Sequence, residues 1–176
     1  AADAERAGIV LAAERLRAAG HTVKIVSAGS TPTLMFAKDE TGVTEMRAGV
    51  CALFDLFMSN VGACTVDDIA GSVLATVIGR QVDKRRVILD CGFLALSRDR
   101  GTARQAHDYG YGLVCGIDGK PLADGTIVLT GTNQEHGILT VPETSPLTQE
   151  DFPIGRRLRI LPNLACPTAA PYASLV

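Results

Sequence analysis

The chain has 176 residues and a mass of 18.5 kDa, with 47% hydrophobic and 20% charged residues and a formal net charge of −2 at pH 7. That length makes one or two domains with a real core, burying about 70% of the unfolded surface. Aromatics are only 5%, Trp is absent and there is no basic excess, which argues against a nucleic-acid surface. Gly or charge interrupts every apolar run well before the roughly 18 residues of a membrane span.

Five cysteines (Cys51, Cys64, Cys91, Cys115, Cys166) are scattered with no C-x-x-C. This fits reduced thiols in a cytoplasmic protein better than a disulfide framework. The three histidines (His21, His107, His136) never stand four residues apart, so an all-His metal cage is not legible. The first residues, AADAERAGIV, carry neither Met nor a signal-peptide pattern and open directly into a helix, as expected of a piece of a longer chain.

In chain order, Asp3 is the expected N-cap of a helix running to Ala19, with Gly20 at C′. Val23, Ile25 and Val26 then make a strand-length apolar run, ended by Ser27-Ala28-Gly29-Ser30-Thr31-Pro32. A Gly and two hydroxyl residues after a strand, with a Pro able to start a helix over 32–38, suit an anion. The same spacing also suits an ordinary strand–turn–helix. A second strand, EMRAGVCALFD over 45–55, carries Gly49 where backbone could meet a ligand closely. Two consecutive strand ends of this kind resemble the phosphate site of a (β/α)8 barrel. Two strands close no barrel, so this part reads as the tail of something larger.

After Asp55 the pattern changes. Residues 56–61 suggest a turn or two of helix. Six β-rich runs follow, at 72–80, 85–92, 111–115, 126–130, 136–141 and 156–162, with Asp118-Gly119 and Asp124-Gly125 as turns. The expected fold class is α/β plus β: the last strands and helices of a (β/α)8 barrel over 1–62, then an antiparallel β-sandwich or barrel over 63–176.

Several blocks together carry a family likeness: SAGSTPT at 27–33, TGVTEMRAGVCALFD at 41–55, DDIAGSVLATVIGRQ at 67–81, DCGFLALSRDRGTARQAHDYGYGLVC at 90–115, NQEHGIL at 133–139 and PIGRRLRILPNLACPTAA at 153–170. In order and spacing they resemble the C-terminal portion of the D-threonine aldolase / D-serine dehydratase-like family, pyridoxal-phosphate enzymes of the alanine racemase fold type. The resemblance implies a homodimeric lyase acting on β-hydroxy-D-amino acids, with pyridoxal 5′-phosphate and a divalent metal, Zn or Mn. It implies cofactor contacts at Gly29, Ser30, Thr31, Arg47, Gly49 and Val50, with Arg47 near the pyridine nitrogen; a salt bridge to a nearby acid is the other reading of Arg47.

The departures are as informative. The family's pyridoxal lysine lies on a first barrel strand that no segment here matches, so none of Lys24, Lys38, Lys84 and Lys120 inherits that role and no catalytic residue is assigned. The family's His-x-Cys or His-x-Asp metal pair reads Leu164-Ala165-Cys166, leaving Cys166 as the one candidate ligand or as a small buried hydrophobe. Cys51 stands where the family often has Tyr. His136 reads as a hydrogen-bonded core residue, and SRDRGT at 97–102 as a structural ion-pair loop. Two functions follow: the C-terminal portion of a lyase, inactive alone, or a non-catalytic truncated relative serving as a fold or interaction module.

Overall fold

A computed structural model describes residues 1–174, which separate into two compact units, the first over 1–52 and the second from Leu53 onward. In the first, α1 (Ala2–Ala18) is Ala-rich, with Asp3 and Glu5 in its first turn and Arg15 and Arg17 in its last, each sign placed against the opposite end of the helix dipole. Asp3 is not the cap: Ala1 holds that position without a side-chain bond, and Asp3 Oδ1 instead accepts from the Lys38 N–H at 3.1 Å. At the other end Gly20 donates to the Arg17 carbonyl and His21 to that of Leu16, a Schellman closure.

The expected strand over 23–26 does not form; β1 (Ser27–Ala28) lies in the stretch read as the turn after it and pairs in parallel with β2 (Glu45–Met46) in the register Ser27↔Glu45, Ala28↔Met46. Strand propensity is realised only against neighbours, and this unit supplies two short strands, leaving Ile25 66% exposed. Between them α2 (Thr31–Phe36) starts on the Ser30 cap. Beyond β2 the expected strand gives way to a 3-10 turn at Val50–Ala52.

The second unit begins with α3 (Leu56–Asn60), capped by Asp55. All six β-rich runs form strands: β3 (Val73–Gln81), β4 (Arg86–Leu89), β5 (Leu113–Cys115), β6 (Leu129–Thr132), β7 (Gly137–Thr140) and β8 (Arg157–Leu161). They make one antiparallel sheet in the order β5-β8-β3-β4-β7-β6. The sheet curls until its edges meet: Val114 N–H reaches the Ile127 carbonyl at 3.0 Å, and Leu129 N–H that of Gly112 at 2.9 Å. Curling satisfies backbone groups that an open edge would expose. Alternate residues point inward, so Ala75, Val77, Val87, Leu89, Leu139, Leu158 and Ile160 pack with Phe152, Val114 and Ile127 into one buried core. A smaller cluster joins Leu56 of α3 to Leu113, Cys115 and Leu161. The short helix α4 (Ala165–Ala169) follows β8.

Gly92 brings the chain leaving β4 against the β6–β7 turn: a Cβ there would lie 2.2 Å from the Gln134 carbonyl oxygen and 2.3 Å from that of Asn133. Both are backbone atoms and cannot step aside. Gly92→Ala should therefore cost more than about 3 kcal/mol. Gly131→Ala, whose Cβ would meet Ile138 at an ordinary 3.6 Å, should cost at most about 1 kcal/mol. Denaturant midpoints of the two variants check the contrast.

Candidate functional site

The parallel register of β1 and β2 sets their C-terminal ends side by side. Arg47 N–H donates to the Ala28 carbonyl at 2.8 Å, and a Cβ at Gly29, whose φ is +116°, would stand 3.0 Å from Arg47 N and 3.2 Å from Arg47 O. Only glycine fits there. Ser30 caps α2, its hydroxyl 3.4 Å from Thr33 N and 3.1 Å from Thr33 Oγ1. Thr31 is 2% exposed, and its Oγ1 has no partner among the described residues. Gly29, Ser30, Thr31 and Arg47 are thus gathered at one turn. Gly49 stands exposed with no heavy atom within 4 Å of where its Cβ would be, and Val50 begins the following 3-10 turn. The Arg47 guanidinium donates to Ser27 Oγ, which donates to the Glu45 carboxylate, so the nearby acid is reached through a hydroxyl.

Sequence reasoning missed Glu5. Its Oε1 accepts from the Gly29 N–H at 3.0 Å and its Oε2 from the Thr33 hydroxyl at 2.6 Å. The Thr33 bond, then the Gly29 bond, and more weakly the Arg47 charge hold its carboxyl below the usual range. A carboxylate of the chain itself therefore already engages donors of the anion-type turn. Its partners lie 24 and 28 residues away, and nothing local in AADAERAG marks it.

In the second unit the Leu164-Ala165-Cys166 corner is held by two buried polar side chains. Asn163 donates to the Asp99 and Gly110 carbonyls at 2.9 and 2.7 Å and accepts from Thr102 Oγ1 at 3.0 Å. Asp55, fully buried, accepts from Met58 N–H and Ala165 N–H, both at 2.9 Å. Burial raises its pKa, outweighing those two bonds, and Asp99 adds to the rise. Leu164 is half-buried and is the uncapped N-cap of α4; Cys166 is exposed, not a buried hydrophobe. Among the described residues no three His, Cys, Asp or Glu side chains cluster to hold a metal ion. A single exposed thiol beside Leu164 does not fit such a site.

The remaining candidates are placed plainly. His136 is exposed rather than core, as are His21 and His107 and all four lysines. The 97–102 loop carries an ion pair, Arg100–Asp108 at 2.7 Å. Cys91 and Cys115 are buried thiols pushed up to about 12 and about 11 by burial, too high for reactive thiolates. No helix among the described residues is long and apolar enough to cross a membrane.

This curled antiparallel domain, with its DCGF, SRDRG and NQEHG blocks joined, defines the class: the chain belongs to the D-serine dehydratase-like family, whose model, described as "Putative serine dehydratase domain", matches residues 70–176. It is 55% identical over 175 residues to D-threo-3-hydroxyaspartate dehydratase of Delftia sp. strain HT23, covering 97% of this chain and 45% of that one. The solved structure of that enzyme superposes with a TM-score of 0.88, and a variant of it lacking one cysteine is described as metal-free. D-serine dehydratase of Dictyostelium discoideum is 30% identical over 164 residues, 91% of this chain and 40% of its own. An alanine racemase-like protein of Idiomarina loihiensis has a TM-score of 0.89 at 45% identity, over 97% of this chain and 45% of its own. The chain spans less than half the length of these relatives.

Asp55 offers a stability test with a defined sign. Its raised folded-state pKa means that the folded protein binds the proton more tightly, so its contribution is fully present below the ordinary carboxylate pKa and falls as pH rises through the raised one. Asp55→Ala should cost about 2 kcal/mol in acid, from the lost cap and tether, and the penalty should shrink toward neutral pH. Melting curves of both proteins across that range check it; a penalty that grows with pH would show that the ionised form is the favoured one.

Proposed function

We propose that the chain is the C-terminal portion of a pyridoxal-phosphate lyase of the dehydratase type, acting on a β-hydroxy-D-amino acid whose β-hydroxyl leaves as water. The observation that carries this reading is the turn at Gly29–Thr33. It has the glycine that a close backbone approach requires and a buried Thr31 hydroxyl without a partner. With the Glu5 carboxylate turned away from the Gly29 N–H and Thr33 hydroxyl that it now holds, these would suit a cofactor phosphate, with Gly29, Ser30 and Thr31 as its holders and Gly49 and Val50 just past the neighbouring strand end. When bound, the cofactor would supply the electron sink for a carbanion at Cα. Arg47, braced by Ser27, would keep a cation beside the ring and disfavour a protonated pyridine. The two relatives at 30% identity or more that carry an activity in their names are both dehydratases, which supports dehydratase over aldolase; the D-threonine aldolase of Filomicrobium marinum, at 21% identity, shares the fold alone. In this reading β1 and β2 are barrel strands whose partners belong to another stretch of chain, and the intact enzyme is a homodimer.

The metal does not fit as the residues stand, so no step is routed through it. Restoring the missing donor is a direct test: Leu164→His should raise zinc or manganese affinity at least tenfold, about 1.4 kcal/mol, and a further Cys166→Ala should abolish the gain. Titration calorimetry read beside a melting curve separates this from the alternative, in which His is merely buried without a partner; unchanged affinity with a lowered melting point rejects a metal corner here.

A second reading, a non-catalytic relative kept as a fold or interaction module, is favoured by Leu164 and by the exposure of all four lysines, since a Schiff-base lysine is activated by desolvation or a neighbouring cation. Both readings expect no turnover of D-serine, D-threonine or D-threo-3-hydroxyaspartate by this chain alone. A borohydride-trapped pyridoxal adduct on Lys24 or Lys38 would overturn that expectation. A chimera joining the N-terminal half of the Delftia enzyme to this chain separates the two: dehydration by the chimera, rescued or raised by Leu164→His, supports the lyase portion, and inactivity of both folded chimeras supports the module.

A further inference from the structure

The 97–102 loop was expected to be structural, yet only part of it is spent on structure. Arg100 pairs with Asp108 and lies 5.0 Å from the Tyr111 ring centroid. Arg98, two residues earlier, forms no ion pair and no hydrogen bond among the described residues. Its guanidinium carbon sits 4.0 Å from the centroid of the Phe93 ring. Stacking on an aromatic face steadies a guanidinium while leaving its N–H fork free. Ser97, immediately before it, is held at φ +152°, its hydroxyl accepting from Asp99 N–H at 3.1 Å; backbone strain of this kind persists where the surroundings enforce it.

The wall behind Arg98 is rigid. Phe93 N–H donates to the Asn133 carbonyl at 2.8 Å and Leu94 N–H to that of Gln134 at 3.1 Å, the contact that Gly92 makes possible. Against this wall Phe93, Arg98, Tyr111, Thr132, Asn133 and Gln134 line an open hollow of 660 Å³, within the range of small-molecule sites. None of the six is acidic. Arg98 brings its guanidinium to this space, and Tyr111, Asn133 and Gln134 border it, so the lining offers donors for an anion and holds no carboxylate to compete.

We propose that this hollow binds a small carboxylate anion, received by the N–H fork of Arg98, with the side-chain amides of Asn133 and Gln134 as further donors. Carboxylate matches the fork because two parallel N–H···O bonds form in one plane. The site lies wholly within the second unit and makes no use of the Gly29–Thr33 turn, so it stands or falls apart from the lyase reading.

The test is an NMR titration of the full chain with succinate, succinamide and inorganic phosphate, on the parent protein and on Arg98→Lys, Arg98→Gln and Phe93→Leu. Succinate is expected to bind in the millimolar range, shifting the Arg98 Nε–H and the Asn133 and Gln134 side-chain amides. Succinamide should leave them unmoved. Arg98→Gln should abolish binding, and Arg98→Lys should weaken it about tenfold because a point charge lacks the planar fork. Phe93→Leu should weaken it by a smaller factor, since the guanidinium loses its platform. Arg98 is exposed, so the Arg98→Lys and Arg98→Gln proteins should keep the parent melting point. No shift at tens of millimolar succinate, or equal binding by the Arg98→Gln protein, overturns the proposal. Phosphate bound more tightly than succinate, with Arg98→Lys unimpaired, also overturns it in favour of a simple charge site.

Discussion

The second unit depends on the side chain of Asn163. It sits where β8 ends and is 3% exposed, so each of its polar atoms needs a protein partner. Two donations and one acceptance bind it to Asp99, Gly110 and Thr102, and Thr102 Oγ1 in turn accepts from Tyr109 N–H at 3.2 Å. One amide thus fastens a loop of more than ten residues between β4 and β5 to the last strand. On either side of it the backbone is committed too: the Pro162 and Asn163 carbonyls accept from Leu56 and Phe57 N–H, both at 3.1 Å. The start of α3, the 97–110 loop and the start of α4 meet at this point.

What was legible in the sequence follows from the range of the interactions. The six strands of the sheet could be read because alternation is a local property: in RVIL and RLRIL the inward residues Val87, Leu89, Leu158 and Ile160 can be picked out without knowing the partner strand. How the sheet curls could not. The bonds from Val114 to Ile127 and from Leu129 to Gly112 depend on twist accumulated over all six strands. Val23–Val26 misled for the complementary reason. It has strand composition, but a strand needs neighbours, and the unit offers Glu45–Met46 alone.

The site residues divide the same way. Gly29 and Ser30 were visible because a glycine and a cap act on their own backbone. Glu5 and Asn163 were not, because a polar side chain advertises nothing about partners 24 or 64 residues distant. His136 was misjudged from its place in a familiar block: the block is held by backbone bonds, with the His136 carbonyl accepting from Asn133 N–H at 2.8 Å, while the imidazole is exposed. A motif can thus mark a backbone shape rather than a side-chain chemistry.

That distinction bears on the Leu164–Cys166 corner. If a metal were needed to hold it together, losing a donor at 164 would leave buried polar groups without partners. Asp55 and Asn163 instead have their partners within the protein, and Thr168 Oγ1 lies within hydrogen-bond distance of the Leu96 and Leu164 carbonyls. The polypeptide alone satisfies the corner, so the residue at 164 is free of any duty to the fold beyond filling its half-buried place. Leucine does that without a polar atom to satisfy. A corner whose polar groups are all paired within the polypeptide tolerates a change of side chain at 164 without leaving a buried donor or acceptor unsatisfied.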